Sequence, residues 1–150
     1  MNIERAIKNN ETFMIINYCE DKNLLNSFVR ENVTALDLAA EYGSHIMVHM
    51  MLKYGADAKK TSVLCSFMKN KNPDRRILKL LLDYGAKIDA KDENGKTATE
   101  LAELAMKDCL DKEKAAVSKN DSIFFKRRAA KYKEYIELIE KYRKSDEKTL

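Results

Sequence analysis

The sequence is poor in residues that interrupt regular structure, with one proline and four glycines among 150 residues. This scarcity excludes collagen-like and Pro/Gly-rich low-complexity chains and favours long regular elements. Hydrophobic residues make up 45% of the chain, which is enough for one compact domain with a buried core. Leu, Ala, Met, Lys and Glu are abundant and are good helix formers, so we predict an all-α fold.

Cysteines and long apolar runs are also scarce. The three cysteines, Cys19, Cys65 and Cys109, are widely spaced and form no Cys-x-x-Cys pair, a usage typical of reduced, intracellular proteins. No apolar run approaches the roughly 18 residues that a membrane-spanning helix needs. The first residues are charged and have no signal-like apolar core. We therefore expect a cytoplasmic protein without a transmembrane segment.

Positive charge is in modest excess and is unevenly distributed. The net charge is +4, and the segment 112–150 contains twelve Lys/Arg against seven Asp/Glu, so the segment 1–111 carries one net negative charge. A basic segment on a nearly neutral body indicates either an acidic partner, nucleic acid or membrane surface, a targeting signal, or simply a solvated helix face. The basic cluster consists of Lys126, Arg127, Arg128, Lys131 and Lys133.

The most specific pattern lies in residues 34–57, TALDLAAEYGSHIMVHMMLKYGAD. Thr34 is placed to N-cap a short helix, with Asp37 at the third position of a capping box. Ser44 can cap a second helix with a buried apolar face. Gly55 stands where the backbone after a helix end often needs positive φ. The segment therefore predicts a pair of helices joined by a tight turn.

The pattern recurs further along the chain. A second copy ends in LLLDYGAKIDAKDENGKT, residues 80–97. The spacing from Thr34 to Thr97 is close to two units of about 33 residues each. A divergent copy lies between them, and its preceding loop, from Gly55 to Ser62, is seven residues long against twelve from Gly85 to Thr97. We expect no projecting hairpin before Ser62.

These motifs resemble the ankyrin repeat, whose family pattern runs T-P-L-H-L-A-A, a G-H turn, an apolar helix and G-A-D. The resemblance implies a solenoid of about four helix pairs forming a single domain over residues 1–150. We expect a degenerate N-terminal cap at 1–30, a repeat at 31–60, a divergent repeat at 61–91, and a C-terminal repeat at 92–150. The matching residues are Thr34, Leu36, Leu38, Ala39, Ala40, Gly43, Leu52, Gly55, Ala56 and Asp57.

The C-terminal repeat is expected to extend into a long capping helix from Ser122 to about Lys144. Apolar residues recur there at spacings of three and four and define one face. In the middle repeat, Asn72 is predicted to cap the second helix and Pro73 to be its first residue. The stripe of the capping helix consists of Phe125, Ala129, Tyr132, Ile136 and Ile139, widened by Tyr135, Leu138 and Tyr142.

A search for catalytic or metal-binding chemistry finds weak patterns only. His45 and His49 are four apart on a helix, a spacing that can bind a metal, but partial burial explains His45 and no third ligand follows. Cys65 stands at the histidine position of the repeat, where a buried thiol is favoured over a nucleophile. The sequence around Gly95 fails the P-loop motif and is better explained as a hairpin turn. We expect no enzyme activity, cofactor or metal.

The resemblance implies partner binding through hairpin tips and the exposed faces of the first helices. Tyr42 is the best single anchor, because aromatic residues dominate binding hot spots; the alternative is that it packs on its own repeat. The tips are formed by Arg30, Glu31, Asn32 and Val33, and by Asp92, Glu93, Asn94 and Lys96. The helix positions are Glu41, Tyr42, Lys69 and Asn70.

The sequence therefore predicts a monomeric, non-catalytic module that binds a protein partner. Lys outnumbers Arg, and Asn and Ile are frequent, a bias typical of AT-rich genomes. A host-directed factor of an intracellular microbe or virus, acting in host cytoplasm or nucleus, fits this bias. The alternative is binding of nucleic acid or an acidic membrane through the basic cluster. Nucleic acid is disfavoured because Phe125 and Tyr132 fall on the buried stripe, away from bases.

Overall fold

A computed structural model describes the backbone of residues 2–149 and the side chains of residues 2–146. Helix accounts for 67% of the chain, so the fold is mostly helical. Two short strands, Phe28–Arg30 and Val33–Thr34, pair near the N-terminus and form a hairpin around the predicted tip residues 30–33. Asn32, in the turn between these strands, has a φ of 57°, a conformation that asparagine tolerates better than most residues.

The described residues form two short strands, a second small hairpin and a series of helices. Strands β1 (Phe28–Arg30) and β2 (Val33–Thr34) are antiparallel, with Phe28 opposite Thr34 and Arg30 opposite Val33. A second, smaller hairpin closes with a bridge between Lys91 and Thr97. The helices are α1 (Ile3–Lys8), α2 (Thr12–Glu20), α3 (Lys22–Leu25), α4 (Ala35–Tyr42), α5 (His45–Lys53), α6 (Val63–Met68), α7 (Arg75–Asp83), α8 (Ala98–Ala115) and α9 (Lys119–Thr149).

The helices pack as two adjacent rows. In one row α1 packs on α4, α4 on α6, and α6 on α8, while in the other α5 packs on α7 and α7 on α9. Helices that follow each other also pack together, as α1 does on α2, α4 on α5, α6 on α7 and α8 on α9. The buried apolar residues, from Ile3 to Ile139, belong to one cluster. Each helix pair thus buries its apolar face on its neighbours.

The helix ends follow from the glycine positions. Gly55 after α5 has a φ of +104°, and Ala56 donates its N–H to the Met51 carbonyl at 3.0 Å, which completes a Schellman motif. Gly43 after α4 serves a different purpose, since its φ is −96°. A Cβ at Gly43 would lie 2.7 Å from the Ala39 oxygen, so close approach demands glycine there.

The prediction for the start of α7 is wrong by two residues. The N-cap is Asp74, whose Oδ1 accepts the Arg76 N–H at 2.9 Å. Pro73 lies before the helix, and its carbonyl accepts a hydrogen bond of 2.8 Å from the Tyr135 hydroxyl. Proline therefore presents an acceptor to α9 instead of beginning α7.

Helix α9 begins three residues earlier than predicted and continues to Thr149. Tyr135 packs edge to face on Phe67, with ring centroids 5.5 Å apart. None of the helices described between residues 2 and 149 is both long and apolar enough to cross a bilayer. On the predicted stripe, Ala129, Tyr132, Tyr135, Leu138 and Ile139 are buried, and Phe125, Ile136 and Tyr142 are half-buried.

Candidate partner-binding groove

A groove of about 750 Å³ lies between the two hairpins, and we call it the hairpin groove. The β1–β2 hairpin forms one wall and residues 87–93 form the other. The loop of residues 59–62 and one face of α6 form the floor. The lining residues are Arg30, Glu31, Asn32, Val33, Glu41, Lys59, Lys60, Thr61, Ser62, Cys65, Ser66, Lys69, Lys87, Ala90, Lys91, Asp92 and Glu93.

The groove exists because the middle hairpin is absent. Residues 56–62, all of them described by the structure, contain turns and no strand. Strand pairing occurs on both sides of this loop, at residues 28–34 and between Lys91 and Thr97. Ser62 follows Gly55 by only seven positions, which is too short for a loop that projects as the one between Gly85 and Thr97 does, where the difference is twelve. The expected loss of the hairpin is confirmed, and it leaves an open floor between two walls.

A buried carboxylate fixes one end of the floor. Asp37 is 2% exposed, and its Oδ2 accepts the Thr34 N–H at 2.8 Å and the Thr34 hydroxyl at 3.1 Å. Its Oδ1 accepts the hydroxyls of Thr61 at 2.8 Å and Ser66 at 3.1 Å. Four hydrogen bonds offset the cost of burying the charge. Asp37 therefore joins α4, the floor loop and α6.

A buried thiol joins the floor to the second wall. The Sγ of Cys65 donates to the carbonyls of Ala90 and Lys96, at 3.5 Å each. Burial raises the pKa of the Cys65 thiol to about 11. The thiol is therefore neutral at pH 7 and acts as a weak donor, whereas a nucleophile needs the thiolate.

One ion pair crosses the groove lining. The ammonium of Lys69 lies 3.1 Å from a Glu93 oxygen. Burial acts to lower the pKa of Lys69, but the hydrogen bond and charge of Glu93 outweigh it, so the pKa is raised. The pKa of Glu93 is lowered by its own backbone N–H and then by Lys69. Both groups are therefore charged at pH 7, and each neutralises the other.

Asp92 shapes the second hairpin. Its Oδ1 accepts the N–H groups of Asn94 and Lys96 at 3.0 Å each. The Lys96 N–H is the largest cause of a lowered pKa for the Asp92 carboxyl, partly opposed by burial. Gly95 follows with a φ of +77°, a conformation that favours glycine. The Asp92 carboxylate is therefore used inside the turn.

Eight of the twelve predicted contact residues line the groove, and four do not. Tyr42 faces the N-terminal helix, where the Lys8 ammonium lies 4.4 Å from its ring centroid. Asn70 donates to the Ala40 carbonyl at 2.9 Å, which ties α6 to α4. Asn94 and Lys96 belong to the second turn outside the lining. The structure therefore places Tyr42 away from the groove, although its role in binding stays a prediction.

Residues that sequence reasoning missed supply most of the floor. Lys59 and Lys60 of the floor come from the shortened loop, while Lys87 and Lys91, which were also missed, belong to the second wall. The length of the shortened loop predicts the missing hairpin, and the loop's side chains are the signal for the floor. A loop too short to project places its own side chains on the floor.

The remaining candidates lie elsewhere. The Nδ1 of His45 is 3.9 Å from an Asp74 oxygen, and its Nε2 is 3.4 Å from an Arg76 nitrogen. Within the described residues, no group of three or more His, Cys, Asp or Glu side chains is placed to hold a metal ion.

The basic cluster lies on α9, and none of its residues lines the hairpin groove. Lys126, Arg127, Lys131 and Lys133 are exposed, while Arg128 is half-buried and donates to the Lys71 carbonyl. The Tyr132 ring is 4% exposed, so it offers no open face for stacking bases.

Comparison with known protein families identifies the segment that frames the groove. Residues 31–60 match the family model described as ankyrin repeat. The match begins in the β1–β2 turn and ends at Lys60, so it spans one wall and part of the floor. Over these residues the chain is therefore similar to the ankyrin repeat. No curated protein matches the chain.

Proposed function

We propose that the chain is a non-catalytic interaction module whose hairpin groove binds a segment of a protein partner. The observation that supports this proposal most strongly is the position of the groove on the matched ankyrin repeat. Ankyrin repeats are typically protein-interaction modules without catalytic activity. The groove is built from fixed elements, because Asp37 and Cys65 bind its floor to both neighbouring units.

The proposal extends the repeat beyond the matched segment. We propose four helix pairs, α1–α2, α4–α5, α6–α7 and α8–α9, arranged as a solenoid with units at residues 1–30, 31–60, 61–91 and 92–150. The two rows of packed helices support this division. The equivalent ends of α5 and α7 support it too, since Ala86 donates to the Leu81 carbonyl at 3.0 Å as Ala56 does to Met51. In this arrangement α9 is the cap.

The setting that we propose is intracellular, with the chain acting as a monomer. A host-directed role for a microbial or viral factor rests on the Lys, Asn and Ile bias of the composition alone. The proposed binding activity does not depend on that setting.

The groove is tested by selecting short peptides from a random displayed library against the folded chain. We expect the selected peptides to lose binding to an Ala90→Trp variant, because the indole would occupy the groove beside the second wall. His49→Trp is the matched control, since His49 is exposed on α5 and lies outside the lining. Binding by fluorescence anisotropy is the measurement, with thermal melts of both variants.

Hydrogen exchange on the unmodified chain provides the second readout. A bound peptide should protect amides at residues 30–33, 59–66 and 87–93. Equal binding to both variants, or protection confined to other residues, would show that the groove is not the interaction surface. Because hydrogen exchange needs no substitution, it tests whether the groove binds the peptide even if Ala90→Trp fails to fold.

The basic cluster on α9 supports a second hypothesis, binding of nucleic acid or an acidic membrane. Four exposed cations carry it. Such binding should weaken steeply with added salt, because bound counterions are displaced. A single-stranded oligonucleotide and anionic vesicles are the direct probes, with Lys126→Gln/Arg127→Gln/Lys133→Gln as the variant expected to lose binding.

A further inference from the structure

We propose that the hairpin groove takes an extended acidic peptide segment, whose carboxylates pair with Lys59, Lys87 and Lys91. This inference rests on the proposed function and specifies the chemistry of the partner. The groove lining contains six cationic side chains and four carboxylates, so its net charge is positive. The sign of this surface is opposite to that of the segment 1–111 taken as a whole.

The three lysines are unpaired. Lys59, Lys87 and Lys91 are exposed, and none forms an ion pair or a side-chain hydrogen bond with a residue that the structure describes. The other cations of the lining are already engaged. Arg30 pairs with Glu4 at 2.8 Å, and Lys60 donates to the Asn26 carbonyl and lies 4.6 Å from the Phe28 ring centroid. Free positive charge is therefore concentrated on the floor loop and the second wall.

The carboxylates of the lining do not neutralise these lysines. Glu93 is paired with Lys69, and Asp92 accepts two backbone N–H groups within its own turn. Glu41 lies beside Lys69 and acts on its charge. Glu31 remains on the first wall, in the turn of the β1–β2 hairpin. The acidic groups thus lie on the walls or act on Lys69, and the three lysines remain available to a ligand.

The stem of one of these lysines is packed against a glycine. The side chain of Lys59 lies against Gly85, so closely that a Cβ at Gly85 would be 2.7 Å from the Lys59 Cε. The absence of a side chain at Gly85 leaves the space that the lysine stem occupies. A supported stem loses less conformational freedom when its ammonium pairs with a ligand carboxylate.

The same lining favours a peptide over other anions. No lining residue is aromatic, so bases would find no surface on which to stack. A membrane is broader than a channel between two hairpins, and it would meet the hairpin tips before the floor. An extended peptide is narrow enough to reach the floor, where Ser62 and Thr61 add polar contacts.

The test compares two labelled synthetic peptides by fluorescence anisotropy. One is a short peptide with Glu alternating with Ser and Gly, and its twin has Gln in place of Glu. An exposed ion pair changes an equilibrium by up to about fivefold, so three pairs predict that the Glu peptide binds about tenfold more tightly. The triple variant Lys59→Gln/Lys87→Gln/Lys91→Gln should remove that difference.

The matched control removes the same charge from a different surface. Lys107→Gln/Lys114→Gln/Lys119→Gln changes three exposed cations on α8 and α9, outside both the groove lining and the basic cluster, and should leave binding of the Glu peptide within about twofold. Equal losses in both triple variants would overturn the inference, because they would show nonspecific attraction to net charge. Groove-dependent binding of an oligonucleotide or anionic vesicles as tight as that of the Glu peptide would overturn it as well.

Failure of the inference and failure of the proposed function have different signatures. If library selection yields groove-dependent peptides without enrichment of Asp and Glu, the interaction module stands and the acidic partner is wrong. If selected peptides show no dependence on the groove at all, both are wrong.

Discussion

At the scale of single residues, one substitution within the repeat pattern has large structural consequences. The ankyrin pattern has histidine at the fourth position of T-P-L-H, and this chain has Asp37 there. The carboxylate still caps its own helix through Thr34, but it also binds Thr61 of the floor loop and Ser66 of α6. Cys65 of α6 binds Ala90 and Lys96 of the second hairpin in turn. In both cases a short polar side chain couples its helix to a later segment of the chain.

Asp37→Ala should lower the free energy of unfolding by about 2–4 kcal/mol, because it leaves the Thr34 N–H and the hydroxyls of Thr34, Thr61 and Ser66 without their partner. Urea unfolding followed by circular dichroism measures this loss. Asp111→Ala, an exposed position on α8, is the control and should change stability by no more than about 0.5 kcal/mol. A loss below about 1 kcal/mol for Asp37→Ala would mean that water replaces the carboxylate.

At the scale of the elements, α9 is the clearest example of a helix held by tertiary contacts. Its sequence is strongly charged, and it is anchored by a few buried aromatic and aliphatic residues. Tyr135 contributes most, because it fills space beside Phe67 and Tyr132 and its hydroxyl binds the Pro73 carbonyl. At the far end, Tyr142 bonds to Asp83 and Arg143 pairs with Asp89 at 2.8 Å. These exposed pairs set the position of the helix more than its stability.

The two roles of Tyr135 are separable by substitution. Tyr135→Phe removes only the hydroxyl and should cost about 1 kcal/mol, since the Pro73 carbonyl loses its donor. Tyr135→Ala also opens a cavity beside Phe67 and should cost about 3–5 kcal/mol. Chemical denaturation is the measurement.

The control for the hydroxyl is Tyr54→Phe, because Tyr54 is 41% exposed at the end of α5 and its hydroxyl has no partner among the described residues. We expect no change there beyond about 0.5 kcal/mol. If Tyr135→Ala cost no more than Tyr135→Phe, the helix would not be anchored by the packing of this ring.

At the scale of the whole molecule, one apolar cluster runs from α1 to α9. Three buried thiols lie at separate points of this cluster: Cys19 on α2, Cys65 on α6 and Cys109 on α8. A stack of repeats can open as one unit or lose its terminal units first. The cysteines distinguish these cases, because a buried thiol reacts only after its surroundings open.

We expect the native protein to react slowly with thiol reagents at pH 8. Burial raises the pKa of Cys19 and Cys65 to about 11 and raises the pKa of Cys109 as well, so the reactive thiolate is populated only as the pH rises toward those values. In urea, all three should become reactive together across the unfolding transition. Mass spectrometry of labelled protein measures each site.

A separate, earlier reaction of one cysteine would contradict a single cooperative unit. Early labelling of Cys109 would mean that α8 and α9 open on their own. Early labelling of Cys19 would mean instead that the N-terminal helices open on their own.

Local chemistry explains where sequence reasoning succeeded. Neighbouring residues alone predict that Thr34, Ser44 and Gly55 lie at helix ends, and each fulfils that role. Caps and left-handed turns depend on a few consecutive backbone groups, so the sequence contains the whole interaction. The Pro73 prediction failed for the opposite reason, because the partner of its carbonyl is Tyr135, which is 62 residues away.

The order of capping residues, apolar stripes and glycines along the chain was sufficient by itself to predict a mostly helical protein and the similarity of residues 31–60 to the ankyrin repeat. Only the tertiary structure decided which side chains share the groove. Lys59, Lys87 and Lys91 come from two separate loops and meet because packed helix pairs bring those loops to one side. Tyr42 is next in sequence to the lining residue Glu41, yet its ring faces Lys8 of α1, the helix that packs on α4. Such choices depend on which units pack together, and that information is spread over the whole chain.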